Sequence, residues 1–559
     1  MYIYKKQFHS DAYFVALILM AASLPLSKFA MSVMQFTLLG LWLWAGFSFR
    51  KSFGFFSSKG AFNGLAAFLG YMLKLSVKNL REKFSAFFRN KAAMVLVSLF
   101  LLHVFGLIYT TDFAYAFKDL RIKLPLLAFP VILSTMEPLG RKRFHTVMIF
   151  HAMAAIIGTF FSTWILLEGE FTDIRKISIF ISPIRFSLNI CIAIFTLAYF
   201  VIRENRFNLA LRFFFGLSAI WLIIFLFILE SGIGFIVLLV TGALLLIYTI
   251  FVKKNPYMKT ALIATIVLVP LALFFYFRDM VREYNTVEPV KLEQLDKYTA
   301  QGNKYVHDTV YFGVEDGKYV GLYLATGELK KAWNERSAFK FSGRDKNEQE
   351  IKYTLIRYLT SKGYRKDAAG VRKLTEEDVR AIERGIANVN YLENPSIRTR
   401  ISKFMIGYHN YSYAHDPNGS SILQRIEYWK ASLNLIQENF LLGVGTGDLA
   451  DVFNDYYERT NSPLDQSNRW RAHNQYLTIF IAFGVFGFLW FLFTLFYPPL
   501  KTGKLLNYFY FVFFITILLS MLTEDTLETQ AGATLFAFFN AFLLFSYKSS
   551  ADQDKPAHA

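Results

Sequence analysis

Residues 210–229 read ALRFFFGLSAIWLIIFLFIL and, after the turn Glu230-Ser231-Gly232, residues 233–251 read IGFIVLLVTGALLLIYTIF. Each run is long enough to cross about 30 Å of hydrocarbon as a helix rising 1.5 Å per residue. The strands of a transmembrane barrel would be about half that length and would alternate, so a barrel is excluded. Ala261–Phe277 is a third block of the same kind. Working outward, the 559-residue chain is 54% apolar and 18% aromatic, with a mean hydropathy of +0.33. Soluble domains average about 45–50% apolar even with glycine counted. The fold class that follows is an all-α polytopic membrane protein. The one cysteine, Cys191, lies inside an apolar block, which leaves neither a disulfide framework nor a thiolate metal cluster.

The net charge of +18 would suggest nucleic acid in a soluble chain, so its placement matters. From Arg278 to Arg471 there are 29 Lys/Arg against 27 Asp/Glu, close to neutral. The excess lies beside apolar blocks, at Lys5-Lys6, from Arg50-Lys51 through Arg81, Lys83, Arg89 and Lys91, at Arg141-Lys142-Arg143, Arg203 with Arg206, Lys253-Lys254, Lys501 with Lys504, and Lys548. These fall after alternate blocks, and the positive-inside bias then puts all of them, and both termini, in the cytoplasm. Nucleic acid is not an expected partner; membrane lipid is.

About twelve spans follow, at 11–28, 31–49, 92–109, 124–138, 145–167, 184–202, 211–229, 232–251, 260–277, 475–497, 506–522 and 531–547. The fourth is short and interrupted by Pro125 and Pro130. Segment 60–90 interleaves apolar residues with Lys74, Lys78, Arg81, Lys83 and Arg89, and reads as a helix lying on the anionic cytoplasmic surface. No small-residue cleavage site follows the first block, which is expected to be a retained helix. Domains follow accordingly: a membrane region of about nine spans over 1–277, an inserted domain over 278–421, a polar segment over 422–474, three spans over 475–547 and a cytoplasmic tail over 548–559.

The outer side then carries Glu230-Ser231-Gly232, the loop Glu168–Pro183, the long region 278–474 and an acidic loop Thr523–Gln530. No GxxxxGK[ST] loop is present, in keeping with chemistry that does not use ATP. Within the long region, Tyr305–Val314 and Tyr319–Ala325 flank Glu315-Asp316-Gly317-Lys318 as a hairpin, with a turn at Gly327. From Asn347 to Asn390 the apolar spacing is helical, and Thr375-Glu376-Glu377-Asp378 reads as a capped start for Val379–Ile386. This makes a mixed α/β inserted domain. Ile422–Leu442 is expected to be a helix along the membrane face, its stripe formed by Ile422, Ile426, Trp429, Leu433 and Ile436.

From Arg425 to Tyr457 the sequence runs RIEYWKASLNLIQENFLLGVGTGDLADVFNDYY, and from Arg469 to Phe488 RWRAHNQYLTIFIAFGVFGF. The Arg425-x-x-x-Trp429 spacing, the turn Gly443-Val444-Gly445-Thr446-Gly447, the Tyr-rich helix and His473-Asn474-Gln475-Tyr476-Leu477 opening a span closely resemble the O-antigen ligase family, over about 120 residues. Its members are bacterial inner-membrane transferases of the broad GT-C class, related to O-antigen polymerases and protein O-oligosaccharyltransferases. The resemblance implies transfer of a glycan from a polyprenyl (undecaprenyl) diphosphate donor to an acceptor hydroxyl, lipid A core for the ligase, on the periplasmic face of the inner membrane.

Such chemistry needs a group to take the acceptor proton and cations for the departing diphosphate. His473 begins a span at the outer surface, and imidazole acts as a base near neutral pH; an interfacial helix cap is the bland alternative. Arg425 offers a planar fork of donors to phosphate oxygens, unless it merely pairs with Glu427 or Glu438. Arg185 opens a span in Ser-Pro-Ile-Arg-Phe-Ser-Leu-Asn against the positive-inside bias, so it is expected to face a polar cavity or to snorkel. The family's pair of outer arginines around the lipid diphosphate is assigned to Arg185 and Arg425. Many relatives carry Ser-Arg-Gly in the outer turn where this chain has Glu230-Ser231-Gly232, and Arg278, Arg469 or Arg471 are the candidate substitutes. Glu524 or Asp525 is placed to orient His473 or an arginine, or to bind an acceptor sugar. Trp470 and Tyr476 are candidates to stack on sugar rings. Gly443, Gly445 and Gly447 read as a structural turn. His307, His409 and His415 lack metal-ligand spacing and no HExxH occurs, so neither a metal nor a cofactor is expected.

A polymerase joining repeat units on the lipid carrier differs only in acceptor, and a protein O-oligosaccharyltransferase is a third variant. A lipid-linked oligosaccharide flippase or other transporter should show related halves and mid-membrane binding groups, and no such symmetry is visible. Segment 290–420 is available to contact the acceptor or another envelope protein.

Overall fold

The computed structural model describes residues 2–47, 49–169, 174–252, 255–287, 289–393, 397–418 and 420–547. Lys253-Lys254, Lys548 and the tail 548–559 lie outside the described residues, as do 170–173 of the loop Glu168–Pro183. The chain is mostly helical. Its first part comprises α1 (Tyr2–Leu26), α2 (Lys28–Leu43), α3 (Phe49–Arg89), α4 (Lys91–Phe105), α5 (Phe113–Thr135), α6 (Arg141–Glu168), α7 (Pro183–Ile202), α8 (Leu209–Ile228), α9 (Gly232–Val252) and α10 (Pro256–Asn285). Each span expected up to residue 277 overlaps one of these helices, the second, 31–49, running past the end of α2 at Leu43. Among the described residues eight helices are long and apolar enough to cross a membrane, namely α1, α4, α6 to α10 and a helix at Gln475–Lys501; Lys28–Leu43, Tyr508–Thr523 and Gln530–Phe545 are apolar but shorter.

The fourth expected span is where sequence and structure differ most. α5 starts well before residue 124, because Asp112 caps it by accepting from Tyr115 N at 3.0 Å. Its charged first half is tolerated because Lys123 and Asp119, one turn apart, pair at 2.5 Å inside the protein. Residues 60–90 belong to the single 41-residue helix α3. Asn79 and Lys83 on its inner side donate to the carbonyls that end α2, while Phe62, Leu65, Leu69, Leu73 and Val77 remain exposed. That exposed apolar face is what an amphipathic helix offers a bilayer surface.

α7 is the most enclosed of the spans and packs against α6, α8 and α9, while α5 packs on α4. Gly234, near the start of α9, approaches α7 so closely that a Cβ would come within 3.2 Å of Ser187 Cβ, which fixes the turn Glu230-Ser231-Gly232 beside the start of α7. The far sides of α8, α9 and α10 expose Phe213, Leu239, Leu268 and Phe274, a continuous apolar surface suited to hydrocarbon.

The inserted domain has a core of its own around Trp333, Leu355, Tyr358, Leu359, Val371 and Ile382. Its helices are α11 (Thr326–Arg336), α12 (Ile351–Ser361), α13 (Ala368–Arg372), α14 (Glu376–Glu383), α15 (Asn390–Glu393) and α16 (Ile397–Ala414). α14 begins with the expected capping box, Thr375 and Asp378 each bonding the other's backbone N–H. The hairpin is present but broken into two short antiparallel ladders: β2 (Val314–Glu315) with β3 (Lys318–Tyr319), and β1 (Val306–Asp308) with β4 (Gly321–Leu324). The interruption arises because Asp308 turns the chain outward by accepting from Val310 N and Tyr311 N, both at 2.7 Å. Asp316 and Gly317 both take positive φ in the tight turn, as a two-residue hairpin loop requires. Gly327, expected in a turn, sits in the first turn of α11. The domain is therefore helical with little sheet rather than evenly mixed.

Candidate active site

Five further helices complete the chain: α17 (Ser421–Glu438), α18 (Leu449–Arg459), α19 (Gln475–Lys501), α20 (Tyr508–Thr523) and α21 (Gln530–Phe545). α17 buries Leu423, Tyr428, Ala431, Ser432, Leu435 and Ile436, and leaves Ile422, Ile426, Trp429 and Leu433 at least a third exposed. Four of the five expected stripe residues thus face outward, with Arg425 beside them on the helix.

The glycine turn docks into a break in α19. Gly484 adopts φ 62° and ψ −167°, interrupting the helix. The turn donates Val444 N to Ile481 O and Gly445 N to Ala482 O, both at 2.9 Å, and Val485 N donates back to Phe440 O at 2.8 Å. A Cβ at Gly443 would lie 2.4 Å from Ala482 C, and one at Gly447 2.0 Å from Asp112 O. These glycines permit close backbone approach and spend their N–H groups internally, so the turn is structural. Asp448 continues the clamp by accepting from Thr111 N and Asp112 N.

His473 precedes α19 and takes φ 45°, a left-handed conformation costing a non-glycine residue about 1–2 kcal/mol. The connection is pinned on both sides of it: Tyr457 OH donates to Trp470 O, Trp429 Nε1 to Ala472 O, and Asn474 N to Asp525 Oδ1 at 3.1 Å. Asn474 then caps α19 by accepting from Tyr476 N and Leu477 N. The ring beside the imidazole is Tyr428, with centroids 5.7 Å apart.

Glu524 ties the expected residues together. Its Oε2 accepts from Arg185 Nη1 at 3.1 Å and its Oε1 from Arg425 Nη2 at 2.8 Å. Oε2 also lies 3.7 Å from His473 Nδ1, beyond hydrogen-bond length. Arg185 is buried in the first turn of α7 and gives its second Nη to Asp525 O. A guanidinium at a helix N-terminus opposes the helix dipole, and the carboxylate compensates. Arg185 Nε, Arg425 Nε and His473 Nδ1 are all buried without a hydrogen-bond partner. Burial, the largest influence on Glu524, pushes its carboxyl upward, but His473, Arg185 and Arg425 together hold it below its ordinary range. The site is therefore a cluster of two guanidiniums and an imidazole around one buried carboxylate, with three unsatisfied nitrogens about it.

The other candidates sort clearly. Arg278 is half exposed on α10, paired with its neighbour Asp279 and lying over Phe275. Arg469 spends Nε on Leu464 O. Trp470 leaves its ring exposed. Tyr476 packs edge-on to Phe491 and donates to Leu518 O, making it part of the helix packing rather than a free platform. Asp525 accepts from Thr478 Oγ1 at 2.7 Å as well as from Asn474 N, so it braces the backbone after His473. Arg471 does join a cluster, at Glu528 (3.4 Å), and this cluster was not anticipated. Glu528 also accepts from Lys123 Nζ at 2.9 Å and Gln475 Nε2 at 3.2 Å. Burial pushes the Glu528 carboxyl up, yet Lys123 and Arg471 hold it well below its usual range. The sequence did carry a signal: Asp119 and Lys123 stand one turn apart, directly before the apolar run Leu124–Leu133. Among the described residues no group of three or more His, Cys, Asp or Glu is placed to hold a metal ion.

Residues 385–492 match the family model described as O-antigen ligase. The match includes Arg425, the glycine turn and His473, and excludes Lys123, Arg185, Glu524 and Glu528. No curated protein matches the chain. The family carries an O-antigen ligase- or polymerase-type activity in general, in which a lipid-linked glycan donor meets a glycan acceptor. Residues 385–492 of this membrane protein are therefore similar to the O-antigen ligase family, and the similarity covers that segment.

Proposed function

We propose that the chain is an O-antigen ligase-type glycosyltransferase that moves a glycan from polyprenyl diphosphate to an acceptor hydroxyl, lipid A core being the acceptor of choice, at the periplasmic face of the inner membrane. The observation that carries the reading is the convergence of Arg185, Arg425 and His473 on Glu524 from three separate parts of the chain. The two guanidiniums hold the donor diphosphate, and their unsatisfied Nε groups supply further donors to its oxygens. His473 takes the proton from the acceptor hydroxyl as its oxygen bonds to the anomeric carbon and the carbon–phosphate-oxygen bond breaks. The polyprenyl diphosphate leaves with the electron pair, its charge met by the arginines, so no metal is required. Glu524 lies close enough to support the imidazolium that forms. Arg185 in the first turn of α7 and His473 just before α19 both approach Glu524, so two helix starts lie on the side of the site that an anion would approach. The exposed stripe on α17 and Phe440-Leu441-Leu442 give the polyprenyl chain an apolar surface next to the arginines.

The test is complementation of a deletion in the source bacterium with wild type or His473→Ala at equal membrane abundance. Full-length carrier-linked glycan accumulating above bare lipid A core, unrescued by His473→Ala, is expected. Carrier-linked glycan that stops at one repeat would replace the ligase with the polymerase reading. Full rescue by His473→Ala would remove the base.

A further inference from the structure

The loop joining α20 to α21 is bonded residue by residue to the beginning of α19. Asp525 holds Asn474 N and Thr478, Leu527 N donates to Gln475 Oε1 at 2.7 Å, and Glu528 holds both Gln475 Nε2 and Arg471 Nη1. Arg471 and Gln475 stand two residues before and two residues after His473, so a single carboxylate grips the chain on either side of the strained left-handed position. Glu528 is in turn gripped from the opposite side of the bundle by Lys123, whose ammonium is fully enclosed and bonds it at 2.9 Å. Asp119, at 2.5 Å, takes the other side of that ammonium. One buried and one partly exposed cation thus balance two buried carboxylates: Lys123 and Arg471 against Asp119 and Glu528.

We propose that Lys123, on α5, is a positioning residue that acts through Glu528 to hold His473 in register with Arg185, Arg425 and Glu524. The physical reason is the cost of an unbalanced buried charge. With Lys123 in place Glu528 is fixed against α5, and Arg471 and Gln475 are fixed by Glu528. Without it, Glu528 is left with Arg471 at 3.4 Å as its remaining cation, and the carboxylate is drawn toward the connection instead of the connection being drawn toward α5. Asp119 is left buried with no counter-charge and drives the two carboxylates apart. The backbone at residues 471–475 then relaxes, and the left-handed position of His473 is the first to be released because it is the strained one. Displacing a catalytic group by about 1 Å costs on the order of 100-fold in turnover. The arginines that take the donor bond Glu524 and Asp525 of the same loop but none of Lys123, Asp119 and Glu528, so the larger effect falls on turnover and not on donor binding.

The proposal rests on His473 acting as the base, and the experiment separates the two. Lys123→Met, Lys123→Arg, the double variant Lys123→Met with Glu528→Gln, and His473→Ala are purified in detergent. Turnover is measured per folded molecule, with carrier-linked glycan extracted from the deletion strain as donor and that strain's own glycolipid as acceptor. Lys123→Met is expected to lower kcat at least 10-fold with donor KM within 2-fold of wild type, and Lys123→Arg, which keeps the charge, to regain most of kcat. Should Lys123→Met fail to fold, the double variant, which removes both charges, is expected to fold and to remain slow. Wild-type kcat in Lys123→Met or in the double variant, with His473→Ala inactive, overturns the role of Lys123 alone. A fully active His473→Ala overturns the base and the positioning role with it. A rise in donor KM at unchanged kcat would move Lys123 to donor binding and refute the proposal.

Discussion

Replacing Glu524 by Gln separates donor binding from turnover. In the free protein its carboxylate sits between two guanidiniums, 3.1 Å from Arg185 Nη1 and 2.8 Å from Arg425 Nη2, and Arg185 is almost fully buried. Removing one partner of a buried pair costs about 3–5 kcal/mol because the other charge is left uncompensated. Gln keeps the shape and one accepting oxygen, so the lower figure, about 3 kcal/mol, is expected. A bound diphosphate restores the missing negative charge, so the variant recovers in the donor complex what it loses alone. The expected outcome is a lower Tm for Glu524→Gln in detergent, and a larger stabilisation by added undecaprenyl diphosphate than wild type shows. Donor KM falls, while kcat falls about 10- to 100-fold because the imidazolium of His473 loses its carboxylate neighbour. A donor-induced shift equal to or smaller than that of wild type would refute the view that Glu524 occupies the place of the diphosphate. Unchanged kcat would refute its service to His473.

Gly484→Ala should cost about 2–6 kcal/mol and abolish turnover, since its backbone conformation is one only glycine accepts readily and a Cβ would lie 2.1 Å from Leu441 O; a wild-type melting curve would sink this. Arg425→Lys should raise donor KM about 10- to 100-fold with a smaller change in kcat, through loss of a charged hydrogen bond and of the planar fork, and steady-state kinetics against carrier-linked glycan decide it. In the inserted domain, burial and the neighbouring Lys318 lower the Lys366 ammonium to about 8, against about 10.4 in the unfolded chain. Between those values the unfolded chain binds more protons, so the domain gains stability as pH rises from about 8 toward 10 and bears the full cost below 8. Lys366→Met should therefore slow hydrogen exchange of the Ile351–Ser361 amides at pH 7 and flatten their dependence on pH above 8; exchange identical to wild type would show that Lys366 finds its charge compensated.

The spans were legible because a continuous apolar run of this length has one low-energy solution in hydrocarbon, a helix that satisfies its own backbone. The capping box at Thr375 and the turn at Asp316-Gly317 were legible for a related reason, since both are local and their partners lie within four residues. The start of α5 was not. The expected span began at residue 124, and only the pairing of Lys123 with Asp119 and Glu528 makes those three charges interior. His473, Arg185 and Arg425 could be named from residue type, position and resemblance, whereas the supporting candidates separated only when neighbours were known. Tyr476 and Arg278 carry side chains as suitable as those around Glu524, but one is packed against Phe491 and the other is paired with Asp279.

By itself the sequence determined that this chain is a membrane protein and which segment resembles the O-antigen ligase family. These depend on composition and on contacts near in the chain. The tertiary structure alone decided that Glu524 joins Arg185 to Arg425 and that Glu528 meets Lys123 across 405 residues. A carboxylate can pair with any of 60 Lys and Arg side chains in this sequence, and nothing short of the packed bundle selects which one lies within 3 Å.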